Sequence, residues 1–228
     1  MTSTPQGPGP EDAAARARAA SKDSIRLFVV GPIETNCYAF VSDGHCMVVD
    51  PGNSGAQVAA ELADVQVDLI VATHGHGDHV GGVAALKAAT GAPYLIHAAD
   101  AERATHAGEP SELGRSYDDD APWPDRTIAE GDVLCVGTAT FTVMETPGHT
   151  PGGVTLVGGG SAEGVAFVGD TLFPGSCGRT DLAGGDYPTL RRSLARMAAQ
   201  IAPGTALLCG HGPSTTMARE LQQNPFLR

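Results

Sequence analysis

Three histidines and one aspartate lie within six residues of the chain. They are His74, His76, Asp78 and His79, and they follow an apolar run at 67–71 that is typical of a buried strand. Neutral imidazole and carboxylate are ligands of zinc, iron and manganese, so the sequence predicts a metal centre at the end of this strand. An extended segment would point His79 away from the other three, whereas a turn around the metals would use both sides. Gly75 and Gly77 are predicted to adopt positive φ and let the backbone pass close to the ions.

Three further candidate ligands stand at predicted strand ends among glycines. His149 lies in a Thr-Pro-Gly-His-Thr-Pro-Gly-Gly segment, Asp170 follows an apolar run at 165–168, and His211 lies in a Gly-His-Gly-Pro segment. A single polar residue in such a turn is more often a cap than a ligand. Three residues with the same local pattern indicate instead that these side chains complete the metal centre.

The composition is that of an ordinary globular protein. The 228 residues suit one domain, with a core large enough to need no disulfide bonds. A net charge of -12 and the lack of any Lys/Arg cluster argue against a nucleic-acid partner. No window approaches the ~20 apolar residues needed to cross a bilayer, so no membrane partner is predicted. The five cysteines have no CxxC spacing, which indicates reduced thiols in a cytoplasmic protein.

The first part of the chain divides into a tail and a strand-rich segment. Residues 1–24 contain few large apolar side chains and are predicted to be disordered, with a short helix as the alternative. Strands are predicted at 25–30, 37–42 and 46–50, with a hairpin turn at Asp43-Gly44. Ser54 is predicted to cap a helix that runs to Leu62, and a helix at 80–90 is predicted to end at Gly91.

The rest of the chain repeats this order of strands followed by helix, which suggests two similar halves. Strands are predicted at 94–97, 133–136, 141–145, 154–157, 165–168 and 206–209, and helices at 98–107, 186–201 and 215–222. The segment 108–127 is predicted to be a long irregular loop, of the kind that forms lids and binding loops. Its Trp123 is predicted either to pack over a substrate or to cover the flank of the domain.

These motifs together resemble the metallo-β-lactamase superfamily. The resemblance rests on His-x-His-x-Asp-His at 74–79, Gly-His-Thr at 148–150, Gly-Asp at 169–170 and Gly-His-Gly at 210–212. Within that superfamily, the segments 169–173, 178–182 and 210–216 are similar to the glyoxalase II-like thioesterases. The resemblance covers residues 25–228 and implies one catalytic domain of the α+β class. The implied fold is an αββα sandwich with the metals in a cleft along one edge of the sheets.

The resemblance also implies the ligand set and the chemistry. It assigns one divalent metal to His74, His76 and His149 and a second to Asp78, His79 and His211, with Asp170 bridging both. The metals are expected to be zinc, with iron or manganese as alternatives. Asp78 and Asp170 are expected to orient a metal-bridging hydroxide that attacks a small-molecule acyl or thioester substrate. The remaining histidines, which match no ligand position, are His45, His97 and His106.

Departures from the glyoxalase II pattern leave the substrate undetermined. Gly212 follows His211 where those enzymes have Tyr, and no match to their glutathione-binding helical domain precedes Arg228. Glutathione recognition is therefore an open question. Arg179 either binds a substrate carboxylate through its guanidinium fork or pins its own loop. The sequence predicts no oligomeric state.

Three alternative functions are also open. A persulfide dioxygenase would use one iron ion on His74, His149 and Asp170. A β-lactamase-like hydrolase would use the whole ligand set, and a non-catalytic relative of the fold would be expected to have lost ligands. The presence of all seven candidate ligands favours a hydrolase, and the glyoxalase-like segments favour a thioester substrate.

Overall fold

Two six-stranded sheets form the centre of the computed structural model, which describes residues 23–110 and 114–228. In spatial order, the first sheet consists of β1 (Ser24–Val30), β2 (Thr35–Ser42), β3 (His45–Val49), β4 (Gln66–Val71), β5 (Tyr94–His97) and β6 (Arg126–Ile128). The second consists of β14 (Thr215–Thr216), β13 (Ala206–Cys209), β10 (Val165–Gly169), β9 (Val154–Gly160), β8 (Ala139–Glu145) and β7 (Val133–Val136). A separate ribbon pairs β11 (Leu172–Phe173) with β12 (Ser176–Cys177). The predicted tail at 1–24 lies outside the described residues, apart from its last two positions.

Helices cover the outer face of each sheet. They are α1 (Gly55–Glu61), α2 (Gly77–Val80), α3 (Val83–Thr90), α4 (Ala98–Ala104), α5 (Tyr187–Gln200) and α6 (Met217–Gln223), followed by a 3-10 turn at Pro225–Leu227. The buried side chains of α1, α3 and α4 form one apolar cluster with the first sheet, and those of α5 form another with the second sheet. The spacing of the apolar residues in α5 gives it one buried face, as the sequence predicts.

The two sheets pack face to face through a third apolar cluster. Phe40 of β2 meets Phe141 of β8 edge to face, with ring centroids 4.9 Å apart, and Tyr38 lies 5.4 Å from Phe167. Each large side chain buried here contributes about 2 kcal/mol by leaving water. The order of layers is helix, sheet, sheet, helix, so the predicted αββα sandwich is confirmed.

Most predicted strands and turns are present, but the cap of α1 differs from the prediction. The Asp43-Gly44 hairpin turn has φ angles of 52° and 81°, as such a turn requires. Ser54 precedes α1 in the left-handed region at φ 57°, and its side chain makes no capping bond. Its hydroxyl donates instead to Asn53 Oδ1, and its backbone N–H donates to Asp118 Oδ2. The prediction of a Ser54 side-chain cap is therefore wrong.

The predicted helix at 80–90 is interrupted by a pair of glycines between α2 and α3. Gly82 donates its N–H to the carbonyl of Pro51 at 2.8 Å, which turns the chain out of the helical path. A Cβ at Gly82 would lie 2.8 Å from that oxygen, so only glycine fits. Gly91 ends α3 at φ 72°, as predicted.

The structure also bears on two predictions made from composition, which concern membrane spans and cysteines. Across 23–110 and 114–228, no helix is both long and apolar enough to cross a membrane. The cysteines are free thiols, of which Cys37, Cys46 and Cys209 are buried. They serve as small apolar side chains in the core.

Candidate metal centre

Strand direction brings the predicted ligands to one edge of the fold. Because β9 runs antiparallel to β8 and β10, and β13 runs parallel to β10, the carboxyl ends of β8, β10 and β13 share an edge. The loops after these three strands carry His149, Asp170 and His211. β4 of the first sheet ends at the same edge, where the N–H of Val154 donates to the carbonyl of Thr73 at 2.9 Å. The segment with the other four candidates therefore faces these loops.

All seven predicted ligands meet in one cluster, with Asp170 at its middle. Asp170 Oδ1 lies 3.5 Å from His79 Nε2, and its Oδ2 lies 3.6 Å from Nε2 of both His149 and His211. The ligand atoms of three groups lie within 4.8 Å of one another, namely His74, His76 and His149; His74, His79 and Asp170; and Asp78, His79 and His211. We call the first of these the three-histidine group and the last the Asp78 group. They coincide with the two sets that the resemblance implies.

Several buried atoms of the cluster make no hydrogen bond, although one of them, His79 Nε2, lies 3.2 Å from Asp78 Oδ2. The Nε2 atoms of His74, His76, His79 and His149 and Oδ1 of Asp170 are buried and make no hydrogen bond within the described part of the chain. A buried polar atom without a partner costs about 1–3 kcal/mol, so five together would be a heavy penalty. Lone pairs that converge on a shared space are satisfied by a cation. The residues present therefore fit divalent metal ions.

The opposite ring nitrogens of the histidines are held by the surrounding protein. His79 Nδ1 lies 3.0 Å from Asp50 Oδ2, His149 Nδ1 lies 2.7 Å from the Arg179 carbonyl, and His211 Nδ1 lies 3.2 Å from the Ile33 carbonyl. An Nδ1–H donated to an oxygen leaves Nε2 as the lone-pair nitrogen, and that nitrogen points into the cluster. These bonds orient the rings before any metal binds.

Two members of the three-histidine group, His74 and His76, are held in the neutral state. Burial is the main cause that lowers the pKa of His74 well below its ordinary value, and the neighbouring imidazoles add to the effect. Burial and His149 lower the pKa of His76 to about 3. Both imidazoles are therefore neutral at physiological pH, which is the state that binds metal.

The Asp78 group has the opposite electrostatic character. Burial opposes a charge on His79, but Asp78, Asp170 and Asp50 together raise the pKa of His79 well above its ordinary value. Burial likewise opposes ionisation of Asp78, yet His79 and His211 hold the pKa of that carboxyl well below its ordinary value. The two groups thus differ in their electrostatics: burial keeps His74 and His76 neutral, whereas the ionised Asp78 carboxylate is available to attract a cation.

Asp50 supports the cluster, and sequence reasoning missed it. Its carboxylate is buried and accepts from the N–H of Thr73 at 2.7 Å and the hydroxyl of Thr73 at 2.8 Å, besides holding His79. Asp50 adopts the left-handed region at φ 54°, which costs energy for a residue other than glycine. In the sequence, Asp50-Pro51-Gly52 indicates only a turn. In this turn the carboxylate reaches both Thr73 and His79.

Replacement of Asp50 by Asn is expected to weaken metal binding by roughly 10- to 100-fold. Asn tolerates positive φ, but its side chain has one acceptor oxygen, so it cannot hold both Thr73 and His79. Competition with a chromophoric chelator measures the affinity. Asp68→Asn is the matched control because Asp68 also bonds a histidine, His45, but at the surface, 2.7 Å away. Equal affinities of the two variants would contradict the role of Asp50.

The glycines of the segment serve close packing rather than unusual backbone angles. Neither Gly75 nor Gly77 has positive φ, so that prediction is wrong. A Cβ at Gly75 would lie 2.6 Å from the carbonyl oxygen of Asp100, and one at Gly77 would lie 2.5 Å from the ring of Tyr117. The segment also turns into α2 directly after His76, which agrees with the turn rather than the extended alternative.

A cavity of about 830 Å³ opens over the cluster. Its lining includes the apolar residues Ile33, Ala99, Tyr117, Pro151 and Leu182, with ligands of the cluster at its base. Tyr117 belongs to the predicted loop at 108–127, of which residues 111–113 lie outside the described residues, and the described part of this loop forms part of the wall. Trp123 of the same loop is 66% exposed and does not line the cavity, contrary to the alternative in which it packs over a substrate.

Arg179 lines the cavity but is engaged with its own loop. Its Nε and Nη2 each lie 2.7 Å from the carboxylate oxygens of Asp181, in a two-point ion pair. The ion pair is the main cause that lowers the pKa of Asp181 to about 2. Because the Arg179 carbonyl holds His149, the pinned loop also orients a candidate ligand. The geometry favours the loop-pinning alternative.

The three histidines that match no ligand position lie outside the cluster. His45 pairs with Asp68 at the surface, and His97 Nε2 lies 3.1 Å from Glu145 Oε1. His106 lines the outer part of the cavity, where its Nδ1 lies 3.0 Å from the Glu102 carbonyl. The structure separates these residues from the seven candidates, as predicted.

A four-layer αββα sandwich with a His/Asp cluster at one sheet edge defines a class of metal-binding proteins. A sequence model of the metallo-beta-lactamase superfamily matches residues 30–215. The chain belongs to this superfamily.

Individual relatives extend over almost the whole chain. The hydroxyacylglutathione hydrolase GloC of Haemophilus influenzae is 31% identical, covering 90% of this chain and 98% of its own. The crystal structure of BLEG-1 B3 metallo-beta-lactamase has a TM-score of 0.81 at 33% identity and covers 90% of this chain and 99% of its own. That of TTHA1623 in a di-iron-bound form has a TM-score of 0.79 at 33% identity and covers 89% of this chain and all of its own. These similarities agree with a metal-dependent hydrolase.

Proposed function

We propose that the protein is a thioester hydrolase of the hydroxyacylglutathione hydrolase type that uses two divalent metal ions, with zinc as the first candidate. The proposed ligands are the three-histidine group and the Asp78 group, with Asp170 between the two. The observation that carries the proposal is the convergence of buried, unpartnered Nε2 atoms around Asp170. The di-iron form of TTHA1623 supports a two-metal centre, and it leaves iron as an alternative.

The proposed reaction adds water to the acyl carbon of a thioester and releases a carboxylate and a thiol. Bound divalent cations lower the pKa of water and polarise an acyl carbonyl. The carboxylates of Asp78 and Asp170 face the same space and can accept hydrogen bonds from the attacking water, which fixes its direction. The Thr35 hydroxyl donates to Asp78 Oδ2 at 3.1 Å, so this carboxylate is itself held in place. The two carboxylates thereby keep the water oriented.

The substrate class follows from the leaving group and the cavity. A thiolate leaves without strong help from an acid, which suits a cluster whose histidines are either neutral or aimed at metals. The cavity volume of about 830 Å³ lies within the usual range for a small-molecule site. Its partly apolar wall suits an acyl chain. The similarity to GloC supports a glutathione thioester as the first compound to test.

A panel of substrates tests the proposal with the metal-loaded protein. It contains S-lactoylglutathione, an acyl thioester without glutathione, a β-lactam and a phosphodiester. We expect a thioester to have the highest kcat/KM, well above the rate with the free metal. Preference for the β-lactam would favour the activity named for BLEG-1. Failure of every compound would overturn the proposed reaction while leaving the metal centre to be tested separately.

The persulfide dioxygenase alternative uses only part of the cluster. One iron on His74, His149 and Asp170 would leave four further candidates without a function, although the atoms of the Asp78 group also converge. Iron-loaded protein with glutathione persulfide is expected to consume no oxygen above background. Oxygen uptake at rates similar to thioester turnover would favour the dioxygenase instead.

Replacement of Tyr117 by Phe is expected to lower kcat/KM for the preferred substrate about tenfold, the value of one hydrogen bond. Burial and the charge of Asp78 raise the pKa of Tyr117 to about 12, so its hydroxyl keeps its proton and can donate to the substrate. Phe preserves the ring packing against Gly77 and Gly81. Tyr187→Phe, at an exposed position at the start of α5, is the matched control. An unchanged kcat/KM in Tyr117→Phe would exclude a hydrogen bond to the substrate.

A further inference from the structure

A fully buried carboxylate lies between two of the loops that carry candidate ligands. It belongs to Asp100 of α4, whose Oδ2 accepts the N–H of Gly75 at 2.8 Å and whose Oδ1 accepts the N–H of Gly152 at 2.7 Å. The two hydrogen bonds join segments that are far apart in the sequence. Asp100 thus fixes the distance between the two loops.

Both loops contribute to the same group of ligands. Gly75 lies between His74 and His76, and Gly152 follows His149 by three residues. These are the members of the three-histidine group. In the Asp78 group, His79 is held by Asp50 and His211 by the Ile33 carbonyl. Asp100 therefore bonds only the two segments next to His74, His76 and His149, although Asp50 also reaches His74 through the hydroxyl of Thr73, which lies 3.1 Å from His74 Nδ1.

The packing around Asp100 explains why both loops carry glycine. A Cβ at Gly152 would lie 2.7 Å from Asp100 Cγ, and a Cβ at Gly75 would lie 2.6 Å from the Asp100 carbonyl oxygen. Such distances are too short for any side chain, and neither glycine has positive φ. The close approach to Asp100, and not backbone freedom, requires glycine at the two positions.

The energetics indicate a role beyond general stability. Among the described residues Asp100 has no ion-pair partner, and burial of a carboxylate costs several kcal/mol unless hydrogen bonds offset it. An apolar side chain would fill the space without this cost. An apolar side chain, however, cannot accept one N–H from each loop and so cannot set the distance between the two loops.

We propose that Asp100 is the positioning residue of the three-histidine group and controls the affinity of one of the two metal positions. The inference rests on the two-metal centre of the proposed function. Loss of the clamp lets the two loops separate, so the three imidazoles no longer converge. The Asp78 group keeps its own supports and its ion.

Cobalt titration of metal-free protein tests the inference without any substrate. Bound Co²⁺ per chain is measured by equilibrium dialysis, and its visible absorption reports the coordination of each ion. We expect two ions in the unaltered chain, and in Asp100→Asn one ion with unchanged affinity and a second bound roughly 10- to 100-fold more weakly. Asn has one acceptor oxygen, so one of the two loops loses its bond.

Glu220→Gln is the matched control. Glu220 is also a fully buried carboxylate, but its partners include the N–H of Gly175 at 2.8 Å and the hydroxyl of Thr215 at 2.6 Å, and it bonds neither loop of the three-histidine group. It is expected to bind two ions with normal affinity even though the melting temperature falls. Loss of both ions in equal measure in Asp100→Asn, or no loss, would overturn the inference.

Gly152→Ala tests the same contact if Asp100→Asn does not fold. The added methyl group pushes the loop of His149 away from an intact Asp100, and the same selective loss of one ion is expected. Two ions with normal affinity in this variant would also overturn the inference. An unaltered chain that binds no Co²⁺ would overturn the metal centre of the proposed function, which is a distinct result.

Discussion

Replacement of Asp170 by Asn is expected to remove hydrolysis almost completely, with kcat/KM lowered on the order of a thousandfold or more. Asp170 is the residue whose two oxygens face both groups, at 3.5 Å from His79 and 3.6 Å from His149 and His211. Asn has the same shape but no charge, and it presents an NH2 donor where a second acceptor is required. Both metal positions should lose affinity, which distinguishes this variant from Asp100→Asn.

The measurement combines steady-state kinetics with bound metal per chain. His45→Ala is the control, because His45 pairs with Asp68 on the surface far from the cluster. It is expected to keep full activity and two ions. Equal damage in the two variants would mean that the assignment of ligands is wrong, and full metal content in Asp170→Asn would mean that Asp170 does not bridge.

Removal of metal by a chelator is expected to abolish hydrolysis and to destabilise the fold. Binding to the folded state alone adds about 4 kcal/mol when free metal exceeds its Kd a thousandfold, so that amount is lost on removal. In a domain of this size the loss corresponds to a fall of roughly 10 °C in Tm. The cause is local. Without a cation, Asp78 and Asp170 both lie within 3.6 Å of His211 Nε2, and the Nε2 atoms of four buried histidines make no hydrogen bond within the described residues.

Thermal unfolding before and after chelation checks this expectation, and added zinc should restore both Tm and activity. Manganese and iron are added in parallel to find the metal that gives the highest kcat/KM. A metal-free protein with unchanged Tm and unchanged hydrolysis would contradict the metal centre. The same measurements on Glu220→Gln show whether the change in Tm caused by metal is the same when the core is less stable.

The candidate ligands could be predicted from the sequence because they lie directly after predicted strands. His74, Asp170 and His211 each follow an apolar run that forms a strand, and strand ends on one edge of a sheet meet. One such residue alone is more often a turn cap, but several with the same local pattern indicate ligands. The resemblance implies the sandwich, and the repeated order of strands and helices agrees with it.

The supporting carboxylates could not be predicted by the same reasoning. Asp50 precedes Pro-Gly, a pattern that predicts only a turn. Asp100 lies in the first turn of a helix, where acidic residues are common because they interact favourably with the helix dipole. Their functional contacts are with residues 23 to 52 positions away in the chain. Such contacts depend on how the sheets and loops pack, which local patterns do not encode.

The wall of the cavity was only partly predictable, for a similar reason. The sequence predicts a long loop and draws attention to Trp123 because large aromatic rings are common in binding loops. The side chain that lines the cavity is Tyr117, which packs where Gly77 and Gly81 leave room for its ring. Tyr117 packs against two glycines that lie more than thirty residues earlier in the chain, and a local sequence pattern does not reveal such a contact.

The division of the ligands between the two sheets has a consequence for how the protein matures. His74, His76, Asp78 and His79 are synthesised first, and His149, Asp170 and His211 are added only with the second sheet. A growing chain that has completed the first sheet therefore offers a cation only part of its final coordination. With the proposed ligands, tight binding requires both sheets, so the selection between metals is expected to occur in the finished fold and not in the emerging peptide.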